Sequence, residues 1–203
     1  MGLVAGQTPR DAASDGPAND PSPQQWSLSI NIAGYIVPRD RSYASPTFSA
    51  DRGHFHFGSR YNYEDKETGS FWVGYNFELG EKVALKVTPM VGGVFGNTTG
   101  VAPGYLAGIS WKQLELSTEG EFVFDTRNSG GSFFYSWTEL SYSPRDWCRA
   151  GIVAQRTKAY HTSLDIQRGI LIGFSHKKLG FTTYIFNAGW TDPTVVLSLG
   201  FNF

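Results

Sequence analysis

The sequence predicts an all-β fold: an antiparallel up-and-down transmembrane β-barrel of about twelve strands. Three observations lead there. Apolar residues alternate with small or polar ones through most of residues 26–203, the period of a strand with two unlike faces. Short and long turns alternate along the chain, as they do when strands run up and down between two rims. The chain also holds 15 Phe, 10 Tyr, 6 Trp and 24 Gly, enough aromatics to girdle a cylinder twice and enough glycine to thin its inner wall.

The composition sets further bounds. No apolar run reaches the roughly 18 residues that a membrane-crossing helix needs, but barrel strands dilute their lipid face with inner-face residues and escape that test. A net charge of −1 argues against a nucleic-acid partner. The single cysteine, Cys148, excludes an internal disulfide and a cysteine-rich metal site, and no motif calls for a cofactor or a metal. Residues 1–25 stand apart. From Gln7 to Gln25 they are rich in Pro, Asp, Ser and Ala without periodicity, a disordered leader by composition, and Gly2 to Gly6 read as the remnant of a signal peptide.

The strands follow in order. They are expected at about 26–37, 44–50, 54–64, 70–79, 82–94, 101–111, 114–125, 132–142, 147–158, 164–175, 179–189 and 194–203. Tight turns separate them at Asp51 to Gly53, Gly80-Glu81, Lys112-Gln113, Ser143 to Asp146 and His176 to Lys178. Longer polar loops fall at Pro38 to Tyr43, Asp65 to Gly69, Phe95 to Gly100, Thr126 to Gly131, Ala159 to Ser163 and Trp190 to Pro193. The third strand shows the two faces most plainly: Phe55, Phe57, Tyr61 and Tyr63 on one side, His54, His56, Arg60, Asn62 and Glu64 on the other. In water that aromatic row would invite aggregation; in lipid it is at home.

The same reading sorts the whole wall. Ile30, Ile32, Phe71, Val73, Leu85, Phe122, Ile170 and Ile172 point outward. Arg60, Glu64, Glu78, Lys86, Glu115, Glu119, Glu121, Glu139 and Arg149 line the lumen, with Trp72 and Trp137 also turned inward. A lipocalin-like barrel would carry the opposite pattern, apolar inside and polar outside. Trp26, Trp111, Trp147 and Trp190 lie at strand ends, as interface anchors do.

The last strand ends Val195-Val196-Leu197-Ser198-Leu199-Gly200-Phe201-Asn202-Phe203. It resembles the closing strand of bacterial outer-membrane β-barrels, with Leu197, Leu199, Phe201 and Phe203 as the assembly signal. The resemblance covers residues 26–203. It implies a Gram-negative outer membrane, with outer-membrane lipid and the barrel-assembly machinery as partners; among the functions open to that class, a narrow pore or channel for a small polar solute is the first reading. A dry structural or adhesive barrel is the alternative. A lipid hydrolase is a third reading, because His161-Thr162-Ser163 is similar to the His-x-Ser arrangement of outer-membrane phospholipase A, although Leu164 stands where that family continues with Asn. His54 and His56, two apart, read as lumen filling in preference to a metal pair.

Overall fold

A computed structural model describes residues 25–156, 166–189 and 193–203. His161 and Ser163, the loop they sit in, Trp190 and the leader up to residue 24 lie outside the described residues. The elements are β1 (Ser27–Ile36), β2 (Tyr43–Arg52), β3 (Phe55–Tyr61), β4 (Thr68–Tyr75), β5 (Phe77–Leu79), β6 (Ala84–Gly96), β7 (Gly100–Trp111), β8 (Leu114–Asp125), β9 (Phe133–Arg145), β10 (Cys148–Arg156), β11 (Gln167–His176), β12 (Leu179–Phe186) and β13 (Thr194–Asn202), with one 3-10 turn at Ser129–Gly131.

Strands consecutive in sequence pair antiparallel, except that β4 and β5 do not pair with each other and both lie against β6; β1 pairs with β13, so the sheet closes on itself. Among the described residues there are thirteen strands but twelve spans. The chain expected to run unbroken over residues 70–79 is interrupted at Asn76, yet Gly74 opposite Met90 and Phe77 opposite Val87 keep one register against β6. Thus β4 and β5 are two pieces of one span. Asn76 leaves the ladder because its polar groups are engaged elsewhere. Its amide donates to His54 O at 2.6 Å, its Nδ2 donates to Asp51 Oδ1 at 2.7 Å, and its Oδ1 accepts from Thr88 Oγ1 at 2.6 Å.

The alternation decides what faces out. Leu171 is 1 % exposed and its neighbour Ile172 51 %; Val123 is 0 % and Phe124 52 %. Ile30, Ile32, Phe57, Phe71, Val73, Phe122, Ile170 and Leu199 are likewise exposed. A soluble protein does not surround itself with such a belt, whereas a membrane barrel requires one. Trp26, Trp111 and Trp147 are exposed at the short-turn rim, with Arg52 over the Trp26 ring and Lys112 over the Trp111 ring. That places aromatic bodies toward lipid and cations toward headgroups. Outward glycines are roofed by neighbouring rings: a Cβ on Gly120 would lie 2.8 Å from the Tyr105 ring, and one on Gly69 would lie 2.7 Å from that of Phe95.

Two local expectations change. Strand β3 ends at Tyr61, so Glu64 stands on the connection to β4 and not on a strand. Asn62 (φ 54°) and Glu67 (φ 53°) make the bend. Asn62 closes it, with its N–H on Thr68 O at 2.8 Å and its side-chain oxygen accepting from the Glu67 N–H at 2.7 Å. His54, in turn, belongs to the tight turn with Gly53 (φ 58°) and is exposed, stacked on Tyr75 at 5.0 Å. Only His56 of the pair turns inward, where its Nδ1 meets Asp51 Oδ1 at 3.0 Å.

Candidate functional site

The interior of the cylinder is layered. At the long-loop rim it is apolar. Tyr35, Val37, Tyr63, Tyr135 and Phe186 pack in one cluster, Val94, Ala102 and Val123 in another, and Phe133 touches both. Tyr63 reaches across from the β3–β4 connection to Tyr135 on β9, with ring centroids 5.0 Å apart. That connection turns into the barrel: Tyr63, Glu64 and Asp65 are all buried. Thr98 of the β6–β7 loop holds it from the side, donating to Asp65 Oδ2 at 2.9 Å, while Lys66 pairs with Asp40 above it at 2.5 Å.

Beneath that layer lies the first charged cluster. Arg60 on β3 extends toward β8, four spans around the wall. Its guanidinium meets Glu121 Oε2 at 3.0 Å, Glu119 Oε2 at 3.6 Å and Glu64 Oε1 at 3.7 Å. The cation also lies 4.5 Å from the Tyr63 ring and 4.9 Å from that of Trp72, so rings cover the faces that carboxylates leave open. Glu64 accepts from Ser70 Oγ at 2.6 Å and from Trp72 Nε1 at 3.4 Å. Trp72 has room because the facing residue is glycine; a Cβ on Gly92 would stand 2.6 Å from its ring. Tyr135 donates to Glu119 Oε1 at 3.3 Å.

A second cluster is built on β9, β10 and β12. Glu139 accepts from Arg149 at 3.0 Å, from Trp137 Nε1 at 2.8 Å and from the Tyr184 hydroxyl at 2.8 Å. Arg149 also donates to Thr182 and to Tyr184, each at 3.3 Å. It lies flat along β11 where Gly173 has no side chain; a Cβ there would be 2.9 Å from Arg149 Cγ.

Toward the short-turn rim the interior opens. A cavity of about 80 Å³ lies among Ser29, Ser49, His56, Arg60 and Glu119. A larger one of about 360 Å³ is lined by Glu115, Cys148, Arg149, Lys178 and Asn202 among others.

The structure brings Arg60, Glu64, Glu119 and Glu121 together in the interior and Glu139 with Arg149 beside them. Glu115 is half-buried at the larger cavity. Glu78 and Lys86 lie elsewhere. They pair at 3.4 Å on the β5–β6 hairpin with exposed side chains, because that hairpin projects past the buried section of the wall. Asp125 caps the β8–β9 loop and accepts the Arg127 and Asn128 amides at 2.9 and 3.0 Å. Leu197, Leu199 and Phe203 are exposed on the outer face, and Phe201 packs edge-on against Phe203 at 4.6 Å.

Among the uncharged members of both clusters, Trp72 and Trp137 were expected to turn inward, whereas Ser70, Tyr135 and Tyr184 were not singled out from sequence. Their only signal is an inward place on their strands. The inward fold of the β3–β4 connection was missed as well, although Asn62, a residue that tolerates positive φ, marked its start.

No protein-family model matches the chain, and no curated protein matches it. Among solved structures it is similar to the KdgM porin in complex with disordered oligogalacturonate, at 11 % identity and a TM-score of 0.61, covering 86 % of this chain and 99 % of that one. It is equally similar to a second structure of the KdgM porin, at 12 % identity and a TM-score of 0.60 with the same coverage. The chain thus has the fold of a twelve-span porin barrel, arrived at through a sequence that shares about one residue in nine with it.

Proposed function

We propose that the protein is an integral outer-membrane barrel that acts as a narrow channel for small polar solutes, uncharged or cationic. One observation carries this reading: the belt that faces lipid encloses charged residues that a merely structural cylinder has no need of. Burying an ion costs several kcal/mol, and well-packed apolar side chains of the same volume often serve stability as well or better. Arg60, Arg149, Glu64, Glu119, Glu121 and Glu139 occupy that space instead. The shared fold with the KdgM porin supports the same reading.

The solute class follows from charge. The neighbouring porin was captured with oligogalacturonate, a polyanion. Here the interior carries the carboxylates Glu64, Glu115, Glu119, Glu121 and Glu139 against the cations Arg60 and Arg149. An excess of carboxylate repels a polyanion and favours cations. The outer-membrane lipid is the solvent of the belt, and the barrel-assembly machinery is the partner to which Leu197, Leu199, Phe201 and Phe203 are addressed.

A second reading, a barrel that transports nothing, draws on the apolar layer at the long-loop rim, which the chain closes with Tyr63, Phe133 and Tyr135. Planar-bilayer recording of refolded protein separates the two. The channel reading expects small, cation-preferring single-channel events, with the preference reduced when Glu119 and Glu121 are both changed to Gln. Absence of events from the wild type and from a variant with the Tyr63–Asp65 segment shortened leaves the non-transporting barrel standing.

A further inference from the structure

The cluster around Arg60 is out of balance. Three carboxylates, Glu64, Glu119 and Glu121, share one guanidinium. Glu64 is 0 % exposed and Glu121 2 %. Each leaves one oxygen buried without a partner, Glu64 Oε2 and Glu121 Oε1, while their other oxygens approach the same Arg60 nitrogen. A buried carboxylate oxygen with no donor loses its hydration and gains nothing in return. A protonated carboxyl beside a carboxylate resolves this, since like charges this close do not both ionise readily.

The groups that face the cluster from each packed element are few. Strand β3 brings Arg60, β4 brings the neutral Ser70 and Trp72, β8 brings Glu119 and Glu121, and β9 brings Tyr135. Tyr35 on β1 packs in the same cluster as Tyr135. Asp65, next in the chain, is engaged by Thr98. Thus, among the described residues, Arg60 is the one cation in contact, and it leaves the cluster two charges short.

We propose that the Glu64–Glu121 pair is a proton-binding site that latches the β3–β4 connection inside the barrel mouth, and that loss of the proton releases it. The latch is mechanical as well as electrostatic. Glu64 belongs to the six-residue connection from Asn62 to Glu67, whereas Glu121 stands on β8 in the wall. Protonated, the pair tolerates Glu64 beneath Tyr63. With Glu64, Glu119 and Glu121 all charged around Arg60, repulsion acts along the line between connection and wall and drives Glu64 out, taking Tyr63 off Tyr135. Rising pH therefore opens the long-loop rim, and falling pH closes it. The proton site and the release stand on this geometry alone; that release admits a solute rests on the channel reading.

The experiment uses the full chain refolded in nanodiscs. Infrared difference spectra between acid and alkaline buffer should show the carbonyl band of a protonated carboxyl in the wild type, and that band should be lost in the Glu64→Gln/Glu121→Gln variant. Hydrogen exchange of the peptide spanning residues 62–67, corrected for intrinsic rates, should accelerate with pH in the wild type, approaching about tenfold per unit when release is coupled to one proton. It should remain slow at every pH in the double Gln variant, whose amides mimic the neutral acid. Glu64→Gln alone, a change on the connection that leaves the wall intact, should show the same protection if the double variant fails to fold. A wild type without the carboxyl band, or Gln variants whose exchange still accelerates with pH, overturns the proposal. Bilayer recordings on the same samples keep the two readings apart: silence at all pH values, with band and exchange as expected, defeats the channel and leaves the latch.

Discussion

Replacing Ile172 by Arg tests the membrane assignment most directly. Ile172 is the sixth of ten residues in β11 and is half exposed on the outer face. Ten residues at roughly 3.3 Å each, tilted about 40° from the barrel axis, rise roughly 25 Å, the height of the apolar band of such barrels. Ile172 then sits within about 2 Å of the bilayer midplane. Its cross-strand partners are Ala150 and Thr183, and its outward neighbours on β11 are Ile170 and Phe174, so an arginine there finds no carboxylate. The expected cost is about 2–4 kcal/mol. Ile166, equally exposed, lies just beyond the other end of β11, roughly 14 Å from the midplane by the same arithmetic. Arg at that position should cost about 0–1 kcal/mol. Urea unfolding in lipid vesicles, followed by tryptophan fluorescence, measures both. Equal costs at the two positions would refute the depth assignment, and negligible costs at both would refute a lipid-facing belt.

Three further outcomes are expected. Arg60→Ala strips the cation from Glu64, Glu119 and Glu121 and should lower stability by about 3–5 kcal/mol in the same unfolding assay at neutral pH, with part regained when Glu121 is also changed to Gln. Gly92→Ala forces a methyl to within 2.6 Å of the Trp72 ring and should cost about 1–3 kcal/mol and alter near-ultraviolet circular dichroism, whereas Gly93→Ala, with open space beside it, should do neither. Deleting Phe203 removes the ring packed on Phe201 and the amide that donates to Leu28 O at 2.9 Å, and should slow assembly as read by heat-modifiable gel migration; unchanged kinetics would show that the ending plays no part.

Much of this architecture was legible in the sequence because a barrel wall obeys a period of two. Leu171 and Ile172 occupy opposite faces for no reason beyond that period, and a two-sided environment makes the period visible in residue type. Turn length is equally local, so the up-and-down barrel of about twelve strands was legible too. The interior was less legible. Which strand an inward residue stands on says little about whom it meets across the lumen. Arg60 and Glu121 are sixty-one residues apart, and their contact depends on closure and stagger that no local pattern encodes. The connection after Tyr61 went unread because aromatic and polar residues continue to alternate through Tyr63 and Glu64, which mimics a strand while Asn62 has already turned the chain. Glu78 and Lys86 show the converse: their parity is inward, but the hairpin they stand on has left the enclosed section, and parity does not know where the wall ends.

The break at Asn76 has a consequence for how the cylinder gives way. Pairing between β3 and β4 stops at Phe55 opposite Tyr75, so Phe77 to Leu79 hold β6 on one side and no strand on the other. A closed sheet ideally has no free margin; this one keeps a nick three residues deep at one rim. Stress in a ring concentrates at a notch. A tear that starts there meets β5 with one side already unpaired and can run up between β3 and β4 from Phe55 opposite Tyr75. The single side chain of Asn76, tied at once to Asp51, His54 and Thr88, sits at the tip of that notch and blunts it.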